Sequence, residues 1–293
     1  MNELASARLL ENDGRPIQGP HSGVGRARPD SALGKLVSLH IERVTSVRAW
    51  NDRVFSFSTT RDPGLRFRNG QLLMLGLPVE GKPLMRAYSV VSANYEERLE
   101  FLCLEVPNGP LSPKLHRLQP GDAVLVNKKP VGTLVVDDLL PGRRLYLFAT
   151  GTGLAPFLSI VKDPEMYERF ERVILVHCVR HVADLAYGQY LSQELPCDEF
   201  LGELAREKLT YYPTVTREPF RHEGRITSLI ESGKLCGDLG LPALDAAEDR
   251  VMLCGSEAML ADLRGALDRR GFRVNAQAGE RGDYVVEKAF AEK

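Results

Sequence analysis

Tryptophan occurs once among the 293 residues, and cysteine only five times. Cys103, Cys178, Cys197, Cys236 and Cys254 form an odd set without a Cys-x-x-Cys pair. That spacing excludes the usual zinc and iron–sulfur ligand patterns, so reduced thiols are expected. Charge of one sign is also missing. Against 38 Lys and Arg stand 39 Asp and Glu, which leaves no excess to hold a nucleic-acid backbone or an anionic membrane, although a local basic face stays open. No apolar run nears the roughly 20 residues that cross a bilayer, and no charged start followed by an apolar stretch resembles a secretory signal. A cytoplasmic protein is expected, with neither nucleic acid nor membrane as partner. The Gly-x-Ser-x-Gly elbow of many hydrolases is absent. His177 and His181 stand four apart, but the chain leaves a strand between them, so they lack the one-face helix geometry of a metal pair. No metal site is expected.

What is present is a balanced chain, 43% hydrophobic and 26% charged, long enough for two packed domains. Residues 1–35 are rich in Gly, Pro, Arg and Ser without apolar periodicity, and are expected to form a disordered leader. From Leu36 short β-type runs alternate with turns such as Asp62-Pro63-Gly64, Asn69-Gly70 and Pro120-Gly121-Asp122. Six strands at hairpin spacing, with one helix near residues 111–118, predict an antiparallel barrel over residues 36–138. After Pro141-Gly142 the rhythm becomes strand then helix, with helices expected from Gly153, Asp184, Arg225 and Glu257. Such alternation builds a parallel sheet, because parallel neighbours need a crossover connection, and this part is assigned to residues 139–293. Asp137 and Asp138 adjoin the linker and are expected to be solvated.

Several segments carry possible chemistry. In Arg86-Ala87-Tyr88-Ser89, a guanidinium can clamp a pyrophosphate, a tyrosine can lie on a fused ring, and a hydroxyl can reach a ring nitrogen. Taken alone, the same residues also suit an ordinary strand. Asn108-Gly109-Pro110-Leu111-Ser112 opens a helix whose first amides suit a phosphate, or simply forms a capped loop. Gly151, Thr152 and Gly153 follow the first parallel strand, at the end of such sheets where ligands bind, but Pro156 stands where the dinucleotide fingerprint would have its third glycine. Arg180, Thr216-Arg217 and Gly224-Arg225 follow neighbouring strands and could gather around an extra phosphate or lie scattered on the surface. Cys254-Gly255-Ser256-Glu257 ends another strand, where Cys254 is either a small side chain beside a planar ring or a buried thiol. The terminal run 283–290 places Phe290 three residues from the end, docked onto a ligand or simply in the core.

Taken in order, these segments resemble the ferredoxin–NADP(+) reductase family, in its bacterial type, from about Ile41 to Lys293. The resemblance implies a two-domain α+β fold, an antiparallel FAD-binding β-barrel followed by an α/β parallel-sheet NADP-binding domain whose C-terminal segment returns to FAD. The family's RxYS motif maps Arg86 onto the FAD pyrophosphate, Tyr88 onto the flavin ring and Ser89 near its N5, with Ala87 between them. Leu102, Leu104, Pro110, Leu111 and Ser112 match the segments that complete the FAD site, and Thr152 lies near it. Gly151 and Gly153 match the NADP(H) loop. Arg180, Thr216, Arg217 and Arg225 match the group that recognises the 2′-phosphate and adenosine, while Ser256, Glu257 and Asp262 line the nucleotide groove. Cys254 approaches the nicotinamide, and Glu287 holds the place of a glutamate that tunes hydride transfer. The ending Ala289-Phe290-Ala291-Glu292-Lys293 resembles a subgroup with Ala289 over the flavin and Phe290 near FAD.

The implied activity is hydride transfer between NADPH and FAD, with single electrons passed to or from ferredoxin or flavodoxin by a monomer. Two other readings stay open: an oxygenase or cytochrome reductase component of the same superfamily, and a non-catalytic flavin-binding interaction protein.

Overall fold

Short runs of Val, Leu, Phe and Ser with two-residue alternation become strands, and the Gly and Pro clusters become the turns between them. A computed structural model of the chain describes residues 39–289. The expected leader and Phe290 lie outside the described residues. Six strands come first: β1 (Leu39–Ala49), β2 (Val54–Thr60), β3 (Leu72–Val79), β4 (Lys82–Ser89), β5 (Arg98–Leu104) and β6 (Ala123–Asn127). They form one antiparallel sheet in the order β4-β3-β6-β1-β2-β5. Beyond β4, Val90 bridges Phe101 of β5, and the Val91 amide donates to the Glu100 carbonyl at 2.8 Å. The sheet thus curls toward closure around Phe55, Phe57, Leu73, Phe101 and Val126, all at most 1% exposed. Full burial of each such side chain contributes about 1.5–3 kcal/mol. A one-turn helix, α1 (Ser112–Leu115), plugs Leu115 into that core.

Five parallel strands follow: β7 (Arg144–Thr150), β8 (Arg172–Val179), β9 (Leu209–Val215), β10 (Asp249–Gly255) and β11 (Tyr284–Lys288), ordered β11-β10-β7-β8-β9. Their near-continuous apolar runs are explained by a separate core on each face, since a sheet covered on both sides buries every residue. Val173 and Leu175 of β8 enter one core, and Ile174 and Val176 the other. Crossovers are made by α2 (Ala155–Ile160), α3 (Pro164–Arg169), α4 (Gly202–Lys208), α5 (Ile226–Glu231), α6 (Lys234–Leu239) and α7 (Glu257–Asp268). β8 and β10 flank β7 on opposite sides, so the chain reverses direction across the sheet between β7 and β10.

Two expectations need correction. No α-helix starts at Asp184; a 3-10 turn at Val182–Asp184 gives way to a π-helical turn at Tyr190–Glu194 and α4. Tyr187 at φ 58° and Pro196, which has no amide hydrogen, break the path. Asp138 is only 3% exposed, because its carboxylate caps the Gly279 amide at 3.0 Å.

Barrel and parallel sheet are locked by buried polar groups. Asn69 donates to Asp163 at 2.9 Å, and the Ser159 hydroxyl lies 3.0 Å from Asn69 Oδ1 and 2.9 Å from the Ser92 carbonyl. The ring of Trp50 sits 4.5 Å from that of Tyr187, whose hydroxyl donates to Glu100 at 2.5 Å. Partners this well satisfied fix one arrangement, since an unpaired buried polar group is costly.

Candidate functional site

The seam between the two parts opens into a cleft of about 890 Å³. Its barrel wall is the edge strand β4, where Ala87, Tyr88 and Ser89 all face the opening, together with Leu102, Leu104 and Ser112. Strict alternation would separate Tyr88 from its neighbours, but the end of an edge strand is free to twist. The opposite wall is the carboxyl edge of the parallel sheet. There the turns after β7 and β10 meet closely: a Cβ on Gly153 would lie 2.4 Å from the Cys254 carbonyl oxygen, and one on Gly255 would lie 2.1 Å from Thr150 Oγ1. Glycine is therefore required at both places for the close approach. The Ser256 amide donates to Thr150 Oγ1 at 3.1 Å, and Ser256 caps α7. Ala289 hangs its amide on the Gly255 carbonyl at 3.0 Å and reaches the cleft.

Three arginines crowd one end. The Thr216 amide bonds the Val179 carbonyl and the Arg217 amide bonds the Arg180 carbonyl, at 3.1 and 3.0 Å, which extends the β8–β9 pairing past the strands. Gly224, at φ 118°, returns its amide to the Val215 carbonyl and delivers Arg225 beside them. Arg180, Arg217 and Arg225 line the cleft, and none is in an ion pair among the described residues. Clustered guanidinium groups without carboxylate partners suit a phosphate monoester.

Cys254 lines the cleft. Burial, and then the neighbouring Glu287 carboxylate, push its thiol well above the ordinary range. It stays protonated and is not a nucleophile. Glu287 pairs with Cys254 in the β10–β11 register, but its carboxylate points to residues 132–133 and accepts the Thr133 amide at 3.3 Å. Burial raises it to about 7, partly offset by that hydrogen bond. Its Oε1 has no hydrogen-bond partner. Among the described residues no His, Cys, Asp and Glu group could hold a metal.

Residues 38–135 match the family described as an oxidoreductase FAD-binding domain, and residues 147–265 the one described as an oxidoreductase NAD-binding domain. The ferredoxin–NADP reductase of Pseudomonas aeruginosa is 56% identical over 256 residues, covering 87% of this chain and 99% of the relative. Ferredoxin–NADP reductase A of Sorangium cellulosum is 59% identical over 250 residues, covering 85% and 90%. The chain belongs to the ferredoxin–NADP reductase family. A crystal structure of a ferredoxin NADP+ reductase from Neisseria gonorrhoeae with bound FAD and NADP is similar to it at a TM-score of 0.79 and 28% identity, covering 86% of this chain and 99% of that one.

In this member of the ferredoxin–NADP reductase family, most of the anticipated residues share the cleft: Ala87, Tyr88, Ser89, Leu102, Leu104, Ser112, Gly151, Thr152, Cys254, Asp262 and Ala289, with the arginine group, Thr216 and Ser256. Others stand back from its wall. Arg86 is exposed and folds onto the carbonyl of Met85 at 2.9 Å. Leu111 is fully buried in the barrel core beside the exposed Pro110, Gly153 is pressed against the Cys254 backbone, and Glu257 pairs with Lys288 at 3.0 Å. Sequence reasoning missed Asn51, Arg53, His181, Asp184 and Met259, which also line the cleft. Only Asn51-Asp52, a turn signal before β2, could have flagged any of them.

Proposed function

We propose that this chain is an FAD-dependent reductase that takes hydride from NADPH and passes electrons singly to ferredoxin or flavodoxin, as a cytoplasmic monomer. One observation carries the reading: three arginines without carboxylate partners face the same cleft as the β4 edge and Cys254. The donor set fits both nucleotides. Half-buried Ala87, Tyr88 and Ser89 leave a flat wall for a fused ring, hydroxyls of Ser89, Ser112 and Thr152 offer hydrogen bonds, and the arginine cluster suits a 2′-phosphate. No helix among the described residues is long and apolar enough to cross a membrane.

FAD, when bound, supplies the conversion between a two-electron hydride and single electrons. The protein supplies position. Tyr88 would hold the flavin ring, and Ser89 would offer it a hydroxyl. Arg86, Pro110, Leu111 and Ser112 hold the pyrophosphate end. Arg180, Thr216, Arg217 and Arg225 fix the 2′-phosphate and adenosine, Gly151 and Gly153 let the backbone approach, and Ser256, Glu257 and Asp262 border the groove. Cys254, neutral and small, sets how closely the nicotinamide approaches, and near contact is worth several powers of ten in rate. Glu287 adjusts the field behind it, and Ala289 would cover the far side of the ring.

The test is an anaerobic absorbance spectrum of the purified protein before and after one equivalent of NADPH or, separately, NADH. A yellow protein bleached quickly by NADPH and slowly by NADH is expected. A protein that stays colourless after FAD is added would remove the reductase reading.

A further inference from the structure

His177, dismissed as a metal ligand by its spacing, is 1% exposed and lies in β8 under the turn that follows β7. Its Nε2 is 3.1 Å from the Gly151 carbonyl oxygen, and its Nδ1 is 3.3 Å from the Tyr211 hydroxyl. A carbonyl only accepts, so Nε2 carries the hydrogen, and Nδ1 is left to accept from Tyr211. Burial favours the same neutral ring, holding the imidazole down to about 4.

The bond falls on the first peptide of a short 3-10 turn, Gly151–Leu154. Gly151 sits at φ 53°, and a Cβ placed on it would meet no atom within 4 Å, so no side-chain packing at this position adds to the hold of the His177 ring on its carbonyl. In a trans peptide the carbonyl and the following N–H point in opposite directions. With the Gly151 carbonyl held on the core side, the Thr152 N–H is turned toward the cleft that both residues line. A flipped peptide would aim a carbonyl oxygen at an anionic ligand instead.

We propose that His177 is a positioning residue for the nucleotide site: its Nε2–H, with the tautomer set by Tyr211, holds the Gly151–Thr152 peptide so that the Thr152 N–H meets a phosphate of the bound nucleotide. The proposal rests on the nucleotide-binding reading above.

The test titrates NADP+ into the FAD-loaded protein and compares wild type with His177→Leu and His177→Gln, recording thermal midpoints alongside. Loss of one hydrogen bond to a charged group corresponds to a roughly ten-fold or larger weakening. His177→Leu is expected to bind NADP+ about ten-fold more weakly, while His177→Gln, whose amide also donates, recovers most of the affinity even if both variants melt early. Equal affinities in all three proteins, with lowered midpoints alone, would reduce His177 to a core residue and overturn the proposal. Nitrogen-15 spectra of the wild type provide a readout that needs no variant and no nucleotide. An Nε2–H ring from pH 6 to 8 is expected, and an Nδ1–H ring would overturn the proposal. A wild type that binds no NADP+ would instead discard the underlying functional reading.

Discussion

The two walls of the cleft are built in opposite ways. In β4 none of the eight residues is buried, although the whole strand pairs with β3. Across the cleft β10 is buried along its length, and β7 and β8 nearly so. The turns leaving them are tied by Thr150 to Ser256, Thr216 to Val179 and His177 to Gly151. The barrel therefore presents a wall that packing leaves half finished, while the sheet edge holds its ligand-facing groups in place beforehand. A tightly held flavin that completes the first wall, and an exchanging nucleotide that finds the second already arranged, would follow from that difference.

The largest expected effect lies on the prearranged wall. Arg217→Leu combined with Arg225→Leu removes two charge-assisted contacts, each worth about 1.5–3 kcal/mol, and should lower kcat/KM for NADPH roughly a thousand-fold while leaving NADH nearly unchanged. Steady-state kinetics with both nucleotides decide it, and equal losses would break the assignment of that wall to the 2′-phosphate.

Next comes Glu287, on the seam between the two parts. Its folded-state value is raised to about 7 by burial, against an ordinary 4.5. Below about 4.5 the carboxyl is protonated both folded and unfolded. Between about 4.5 and 7 only the unfolded chain ionises, so stability falls as pH rises, by on the order of 3 kcal/mol in total. Denaturant midpoints between pH 5 and 8 should show that decline, and Glu287→Gln should flatten it. A wild type with constant stability across this range would mean that the seam is more hydrated than its burial suggests.

Much of the fold was legible because local chemistry decides it. Pro120-Gly121-Asp122 and Asp62-Pro63-Gly64 punctuate the barrel as read, and the near-continuous apolar runs at 145–149 and 173–179 belong to a sheet covered on both faces. Where a motif is contiguous, as at residues 87–89 and 151–152, its residues come together along one cleft. The site was not legible where contacts join distant positions. His177 meets Gly151 across 26 residues and Thr150 meets Ser256 across 106, and neither pair leaves a local pattern. The expected helix after β8 failed for a related reason: the Trp50 ring and Glu100 of the barrel hold Tyr187 in a conformation that no helix tolerates. Asp138 looked solvated because its partner, Gly279, lies 141 residues away.

The contrast between the walls is tested most directly by amide hydrogen exchange on the full chain, FAD-loaded and after FAD removal. Loss of FAD should speed exchange in residues 82–89 at least about ten-fold, while residues 150–153 and 216–225 change by less than about two-fold. Equal acceleration in both regions, or a larger one at the sheet edge, would contradict a barrel wall completed by its cofactor facing a nucleotide wall arranged in advance.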